Sequence, residues 1–336
     1  MSDDLEPLAP GAGRDLYLDH RRGEVSENTL SSHRYRLNEF VDWCEEQGIH
    51  NLNDLTGRDL HAYRVYRREE DDLKIVSLQG QLSTLRVFLK FCTSIDAVPD
   101  GLHEKILLPT VSGDKQASKT LLEPERAQEI LEYLETYQYA SRQHVLLTLL
   151  WQTGLRMGST RAIDLGDYDP DAPGVELVHR PEQDTPLKNK ERGERWVALR
   201  GPTATVIDEY IAGPRRDMTD EYGRDPLLTT AQGRVSTSAI QGSVYTITRP
   251  CEYGECPHDD FEPETCEFTK RENASKCPSS RSPHDVRSGA ITAHLLDDVP
   301  VEIVSDRMDV TQSVLDRHYD RRSEREKMEK RRKFIS

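Results

Sequence analysis

The feature that most restricts the fold is a stretch, residues 99–120, that is rich in Pro, Gly, Ser and Lys and poor in apolar residues. On both sides of it, apolar residues recur at regular spacing. A chain of 336 residues is long enough for two hydrophobic cores and too long to form one comfortably. The sequence therefore predicts two domains, with residues 99–120 as the linker between them.

The block before this linker, residues 14–98, has the spacing of amphipathic helices. Two segments carry the pattern: Leu37, Phe40, Val41 and Cys44 in one, and Leu78, Leu82, Leu85, Leu89 and Cys92 in the other. Ser26 is placed to cap the first helix and Gly48 to end it. Thr56 and Asp59 have the spacing of a capping box that opens a further helix. We predict a small helical domain in which Cys44 and Cys92 belong to the core.

The block after the linker, residues 121–322, mixes two patterns. Helical spacing is found in three places: Glu125–Glu135, Val145–Trp151 before Thr153 and Gly154, and the region from Ser282 to Arg322 with Pro300 at a helix start. Two strand-like runs, Val175–Val178 and Trp196–Leu199, flank a polar stretch as in a hairpin or a three-stranded meander. The predicted fold class is therefore mainly α, with a small β-hairpin or meander in a mixed α+β second domain. A charged tail, residues 323–336, follows.

The amino-acid composition indicates the environment in which the protein works. Its net charge is −15, with 60 acidic residues and more Arg than Lys. This resembles the surface of a halophilic protein, in which concentrated salt screens self-repulsion, so acidity does not exclude a nucleic-acid partner. The sequence lacks a run of apolar residues long enough to cross a bilayer and the features of a signal peptide. We expect a cytoplasmic protein with no membrane partner.

Residues suited to phosphate chemistry occur in a fixed order in the second block. The run Thr153 to Arg156 comes first, then His284 with Arg287, then Tyr319. Guanidiniums bind phosphate oxygens through paired hydrogen bonds and stay charged, and a phenol can attack phosphorus. Taken singly, each arginine fits a surface salt bridge, the histidine a satisfied helix-terminal group and the tyrosine a packing residue. Their ordered occurrence favours one shared site.

These motifs resemble those of the tyrosine recombinase family, which includes phage integrases and Xer-like recombinases, and the likeness is closest to haloarchaeal integrases. Residues 14–98 resemble the family's core-binding, SAM-like domain, and residues 121–322 its catalytic domain. The resemblance implies a site-specific recombinase that cuts and rejoins DNA through a 3′-phosphotyrosine at Tyr319. It implies double-stranded DNA and a homo-tetramer on paired sites as partners, with no nucleotide and no cofactor for catalysis. Arg156, His284 and Arg287 would act on the phosphate.

The resemblance also places a general-acid lysine in the predicted hairpin. We assign this role to Lys188, with Lys190 as the rival. Two positions depart from the family pattern. Ser159 stands where the family usually has a glutamate, and Val310 where it has the His or Trp of a Gly-His pair. The second departure raises the alternative of a catalytically weakened, DNA-binding accessory protein.

A type IB topoisomerase would share this chemistry but act as a monomer on any supercoiled DNA. The separate helical domain, residues 14–98, favours the recombinase over the topoisomerase.

A Cys-rich segment, residues 249–280, is an insertion in the second block relative to the simplest members of the tyrosine recombinase family. It contains Cys251, Cys256, Cys266 and Cys277, together with His258, and almost no apolar residues. Such a segment cannot fold by burial alone, and a tetrahedral zinc held by the four thiolates would stabilise it. His258 could replace one of them. Because no CxxC pair is present, free thiols and a disulfide remain alternatives.

Overall fold

The structure is a computed structural model that describes residues 5–69, 73–110, 120–259 and 264–318, together with Arg325, Met328 and Arg332. It divides into two compact units, Met1–Ala117 and Ser118–Ser336. Tyr319 and most of the tail lie outside the described residues, so the predictions made for them are not tested by the structure.

The first unit is built from helices. They are α1 (Pro10–Arg21), α2 (Glu27–Glu46), α3 (Gly57–Glu69) and α4 (Ile75–Ser94), with 3-10 turns at Leu52–Asp54 and Leu102–Lys105. The Thr29 N–H donates to the Ser26 hydroxyl at 3.3 Å, so the predicted N-cap of α2 is confirmed. The Thr56 N–H donates to the Asp59 carboxylate at 2.8 Å, which confirms the capping box before α3.

Several aromatic rings pack against one another in the core of the first unit. Phe40 meets Tyr63 edge to face at 5.1 Å between ring centroids, and Tyr17 meets Phe88 at 5.7 Å. Such pairs add to the free energy gained from burial. Cys44 and Cys92 are fully buried, and burial raises the pKa of each thiol to about 12. Their prediction as core residues is confirmed.

The chain before α2 contains a helix that hydropathy did not reveal. Helix α1 begins at Pro10 and buries Tyr17 and Leu18. Gly13 also packs inward, and a Cβ there would lie 2.7 Å from a methyl of Leu52. Gly13 occupies a core position of the helix but adds no apolar side chain to the sequence pattern. The helical spacing of apolar residues is therefore incomplete in this segment.

Part of the predicted linker is packed against the first unit. Leu102 and Ile106 are buried in its hydrophobic core. The contact explains the isolated apolar residues in an otherwise polar stretch. Residues 111–119 lie outside the description.

The second unit contains helices around two small sheets. The helices are α5 (Pro124–Tyr137), α6 (Arg142–Thr153), α7 (Met157–Ala162), α8 (Gly201–Ala212), α9 (Thr237–Ile247), α10 (Pro250–Tyr253), α11 (Pro283–Leu296), α12 (Val301–Met308) and α13 (Gln312–His318). The strands are β1 (Tyr168–Asp169), β2 (Gly174–Leu177), β3 (Arg195–Ala198), β4 (Thr229–Thr230) and β5 (Gly233–Arg234). The fold class is as predicted, mainly helical with small antiparallel sheets.

The larger sheet is an antiparallel meander in the order β1-β2-β3, and Val175 on β2 faces Val197 on β3. Buried aliphatic side chains of α5, α6, α8 and α9 form the main core. A smaller cluster joins α11, α12 and α13: Ile291, Leu295, Val304, Met308 and Leu315. This cluster fixes the last three described helices against one another. Within the described part of the chain, no helix is both long and apolar enough to span a membrane.

Candidate active site

Arg287 lies on the first turns of α11 with its side chain directed inward. A capping box between Ser282 and Asp285 fixes the start of this helix. Arg287 is 4% exposed, and Nη2 of its guanidinium donates to the Met308 carbonyl at 2.7 Å. Its Nη1 donates to the Gly154 carbonyl. The second arginine of the motif is thus a buried cation held by backbone oxygens.

Arg156 approaches the same place from the other side. Helix α6 ends at Gly154, whose φ of 59° lies in the left-handed region that favours glycine. The chain then turns so that Arg156 caps α7. Its Nη2 donates to the Asp309 carbonyl at 2.7 Å, and its Nη1 pairs with the Asp309 carboxylate. The two predicted arginines therefore contact adjacent residues, Met308 and Asp309.

The end of α12 receives a third arginine. Arg195, on β3, donates its Nε to the Arg307 carbonyl at 3.0 Å. Successive carbonyls of residues 307, 308 and 309 are thereby bound by Arg195, Arg287 and Arg156. The last carbonyls of a helix lack partners within the helix and carry partial negative charge. Three guanidiniums supply those partners and concentrate positive charge just before α13, which leads to Tyr319.

The predicted hairpin lysine lies in a long connection. Residues 178–194 join β2 to β3 and contain two short 3-10 turns, Pro181–Gln183 and Lys190–Gly193. Lys188 is exposed in this connection, and Lys190 follows with a left-handed φ of 53°. Between them, Asn189 donates its Nδ2 to a carboxylate oxygen of Asp309 at 2.7 Å. The loop is tied to the arginine cluster directly beside Lys188.

The charges of this cluster affect the pKa of His284. Although the residue is exposed, the protein around its ring lowers the pKa of His284 below the ordinary value of 6.5, first by displacing water. The positive charges of Arg287, Lys188 and Arg156 lower it further, while Asp285 opposes them. The imidazole is therefore neutral at pH 7 and able to accept a proton.

The two positions that depart from the family pattern differ in their surroundings. Ser159 is buried on α7. Val310 packs against the apolar cluster of α11, α12 and α13, and its N–H donates to the Ser305 carbonyl at 3.0 Å. A valine side chain offers no hydrogen bond, so it supplies nothing in place of an imidazole. His318 is described only as the end of α13, and its side chain lies outside the description.

Three residues of this site were not found from the sequence: Arg195, Asn189 and Asp309. Arg195 and Asn189 lie in a polar stretch whose charges carry no pattern. Asp309 directly precedes Val310, at the glycine of the family's Gly-His pair. Its φ of 51° lies in the left-handed region, which glycine adopts freely and Asp tolerates.

In the part of the Cys-rich segment that the structure describes, residues 249–259 and 264–280, the thiols are not arranged as a metal site. Cys251, Cys256 and Cys266 are partly exposed free thiols, and Cys277 is a buried one. Burial and the neighbouring Cys256 and Cys277 raise the pKa of Cys251, against the opposing charge of Arg249. Across the described ranges, no group of three or more His, Cys, Asp or Glu side chains is arranged to hold a metal ion.

Hydrogen bonds from arginine side chains, more than burial of apolar side chains, hold the Cys-rich segment in place. Arg249 is 5% exposed, and its Nη1 donates to the Phe268 carbonyl at 2.5 Å. Arg126, on α5, donates to the Tyr253 hydroxyl and to the Ser279 carbonyl, both at 2.6 Å. These hydrogen bonds hold the segment to its surroundings without requiring a metal ion.

Comparison with known proteins gives a consistent result. Residues 15–94 match the family model described as phage integrase, N-terminal SAM-like domain. Over 208 residues the chain is 25% identical to the tyrosine recombinase XerC of Roseiflexus sp., a match that covers 61% of this chain and 62% of that protein. It is 27% identical over 219 residues to XerD of Mycobacterium tuberculosis, covering 60% and 65% respectively. The matches thus span less than two thirds of these relatives.

Solved structures show the same fold at low sequence identity. The Tn1549 transposon integrase in complex with transposon right end DNA has a TM-score of 0.67 and 14% identity, covering 98% of this chain and all of that one. A lambda integrase dimer bound to a core site has a TM-score of 0.64 and 12% identity, covering 96% and 80%. The shared fold extends over nearly the whole chain. Closeness to haloarchaeal integrases stays a prediction.

Proposed function

Since the chain belongs to the tyrosine recombinase family, we propose that it is a site-specific DNA recombinase acting through a covalent 3′-phosphotyrosine at Tyr319. The observation that carries this proposal is the convergence of Arg156 and Arg287 on Asp309 and Met308. Residues more than a hundred positions apart form one cationic cluster, and Tyr319 is the next residue in the sequence after α13.

The proposed reaction begins with attack of the Tyr319 phenol oxygen on the phosphorus of a DNA backbone phosphate. Negative charge that develops on the non-bridging oxygens is stabilised by Arg156 and Arg287, which remain charged throughout. His284, neutral at pH 7, takes the phenolic proton. The bond from phosphorus to the 5′-oxygen breaks, and the ester to Tyr319 holds the 3′ end. Attack by a 5′-hydroxyl reverses these steps without ATP.

The leaving 5′-oxygen requires a proton, which we assign to Lys188. The positive charge of Lys188 lowers the pKa of His284, as do the charges of Arg287 and Arg156. This supports Lys188 over Lys190, whose left-handed backbone opens the following 3-10 turn.

The test is covalent capture of DNA. A library of nicked duplexes with a randomised central segment traps any phosphotyrosyl adduct, because the short leaving fragment diffuses away. The wild-type chain should retain DNA after denaturation with detergent, and Tyr319→Phe should retain none. Sequencing of the retained duplexes would then give the DNA site. The proposal fails if both proteins retain equal amounts.

The alternative function is that of a DNA-binding accessory protein with weakened cleavage. The packing of Val310 into an apolar cluster favours it, because this position supplies no hydrogen bond to a phosphate. An accessory protein would enrich specific duplexes in a binding selection and form no adduct with them. Val310→His should then raise adduct formation from a low level, whereas a fully active enzyme should gain little.

We also propose that the protein acts as a homo-tetramer on paired double-stranded DNA sites. Residues 323–336 would form a charged helix that docks on a neighbouring subunit, as the family resemblance implies. Deletion of these residues should preserve binding to a half-site and impair assembly on paired sites. Unchanged recombination by the truncated chain would contradict this role.

A structural zinc bound by Cys251, Cys256, Cys266 and Cys277 is a further proposal. Its support is the composition of the segment, and the four thiols would have to move closer together to coordinate one ion. Elemental analysis should find about one zinc per chain, lost in Cys266→Ser and kept in Cys92→Ala. His258→Ala tests whether the imidazole replaces a thiolate. Absence of metal from protein purified without chelators would end this proposal.

A further inference from the structure

We propose that Asp309 is a positioning residue for strand cleavage, which holds the Arg156 guanidinium and, through Asn189, the loop that carries Lys188. The inference rests on the proposed function, because that function gives Arg156 and Lys188 their roles. The family resemblance assigns nothing to this carboxylate.

The geometry of Asp309 joins three parts of the site. One carboxylate oxygen pairs with Nη1 of Arg156, and the other accepts a hydrogen bond from Nδ2 of Asn189 at 2.7 Å. The Asp309 carbonyl accepts Nη2 of Arg156 at 2.7 Å. A guanidinium bound through two nitrogens is fixed in its plane as well as in its position.

The carboxylate itself is held in place. Asp309 ends α12 with φ 51° and ψ 58°, and its N–H donates to the Asp306 carbonyl at 3.2 Å. The preceding two carbonyls are bound by Arg287 and Arg195. Because the backbone on its N-terminal side is fixed by these bonds, Asp309 can act as a rigid anchor.

The loop has an anchor on each side of Lys188. On one side, Leu187 is buried and its N–H donates to Nδ1 of His179 at 2.9 Å. On the other side, Asn189 is bound to Asp309. A long, exposed lysine samples many rotamers, so the position of its backbone limits where its ammonium can reach. Loss of the Asp309 carboxylate removes one of the two anchors.

The Asp309 carboxylate should also lower the affinity of the site for DNA phosphate. Arg156 has five N–H donors and uses two of its nitrogens on Asp309, which leaves donors for a phosphate oxygen. A negative charge beside that guanidinium repels DNA phosphate. A positioning role therefore predicts opposite effects on two quantities: removal of the carboxylate slows cleavage and does not weaken DNA binding.

Three variants separate these effects. Asp309→Gly removes the carboxylate and suits the left-handed backbone, so it adds no strain. Asn189→Ala removes only the link to the loop. The matched control is Asp306→Ala, which removes the same charge from an exposed residue of the same helix.

The first readout is hydrogen exchange of residues 186–193 in the free, full-length chain. Exchange should accelerate in Asp309→Gly and in Asn189→Ala, and it should stay at the wild-type rate in Asp306→Ala. This measurement needs no DNA, so it tests the positioning role even if the wild-type chain forms no adduct and the proposed function fails.

The second readout is single-turnover cleavage of the nicked duplex captured by the wild-type chain. At saturating protein, Asp309→Gly should cleave roughly 10- to 100-fold more slowly, the loss expected when catalytic groups are misplaced by about an ångström. The Kd for the intact duplex should stay equal or become lower. Normal exchange with normal cleavage in Asp309→Gly, or the same losses in Asp306→Ala, would overturn the inference.

Discussion

The second unit contains two clusters of arginine and aspartate that differ in their charge balance. In the balanced cluster, three carboxylates meet three guanidiniums: Asp164, Asp167 and Asp220 with Arg180, Arg224 and Arg234. In the site cluster, Arg195 and Arg287 donate to backbone carbonyls, which neutralise no charge, and Asp309 contacts Arg156. The first cluster thus pairs guanidiniums with carboxylates, whereas the contacts described for the second are mainly to backbone oxygens, an arrangement that can also accept an anion.

The pKa directions fit this distinction. In the balanced cluster, the hydrogen bond from Arg180 to Asp167 raises the pKa of the guanidinium. Hydrogen bonds from Arg224, Arg234 and Tyr222 lower the pKa of Asp220, although burial opposes them. In the site cluster, burial lowers the pKa of Arg195 and Arg156 lowers it further, while the charge of Asp309 opposes them. In a chain of net charge −15, the site cluster thus brings three arginines together at the end of α12, an arrangement that suits a phosphate site.

The largest effect should come from Lys188, the proposed acid of the site cluster. Lys188→Ala should slow cleavage by roughly two to four orders of magnitude, since an unprotonated 5′-oxygen is a poor leaving group. A substrate with sulfur at the bridging 5′ position needs no proton and should restore cleavage, as measured by single-turnover kinetics. Lys190→Ala is the control and should change little. Sulfur rescue of Lys190→Ala instead would transfer the role to Lys190.

The second-largest effect is expected on the free energy of unfolding, for a variant of the balanced cluster. Arg234 is paired with Asp164 at 2.5 Å and with Asp220 at 2.8 Å, and its side chain is 4% exposed. Arg234→Ala leaves buried carboxylates without this partner and should lower the free energy of unfolding by about 3–5 kcal/mol. Urea denaturation would measure it. A loss below about 1 kcal/mol would mean that the two clusters do not differ as described.

Arg156→Ala, in the site cluster, should lower the free energy of unfolding only slightly and slow cleavage strongly. The side chains of Arg156 and Asp309 are 26% and 18% exposed, and such partly exposed ion pairs contribute about 1 kcal/mol or less to folding. Cleavage, in contrast, should fall by roughly 10²- to 10³-fold, because a fixed donor to the developing charge is lost. Urea denaturation and covalent capture on the same preparation would compare the two quantities. Equal losses in both would assign Arg156 a structural role.

The smallest effect is a change of pH profile at His284. A pKa lowered below 6.5 favours the neutral imidazole at pH 7, so the fall in cleavage on acidification should begin at a lower pH than an ordinary histidine would give. The fold also favours the neutral form, and this contribution to stability is present above pH 6.5 and lost as the pH falls below it. His284→Gln should remove the acidic limb. An unchanged limb in that variant would exclude His284 as its origin.

Much of the fold was predictable because its signals are local. The caps at Ser26 and Thr56 and the left-handed Gly154 mark helix ends in the sequence and in the structure. Helix α1 was missed because Gly13 makes its core contact without apolar bulk. The predicted site residues Arg156 and Arg287 are brought to one place, and Tyr319 lies outside the described residues.

By itself, the sequence determined which residues could perform phosphate chemistry, because residue type and order are properties of the chain. Only the tertiary structure decided which arginines are neutralised. Arg234 and Arg156 look alike in the sequence, yet one is buried between carboxylates and the other faces a single aspartate at the end of a helix. The sign and amount of charge left over depend on residues that are distant along the chain, so this difference arises only when the chain folds.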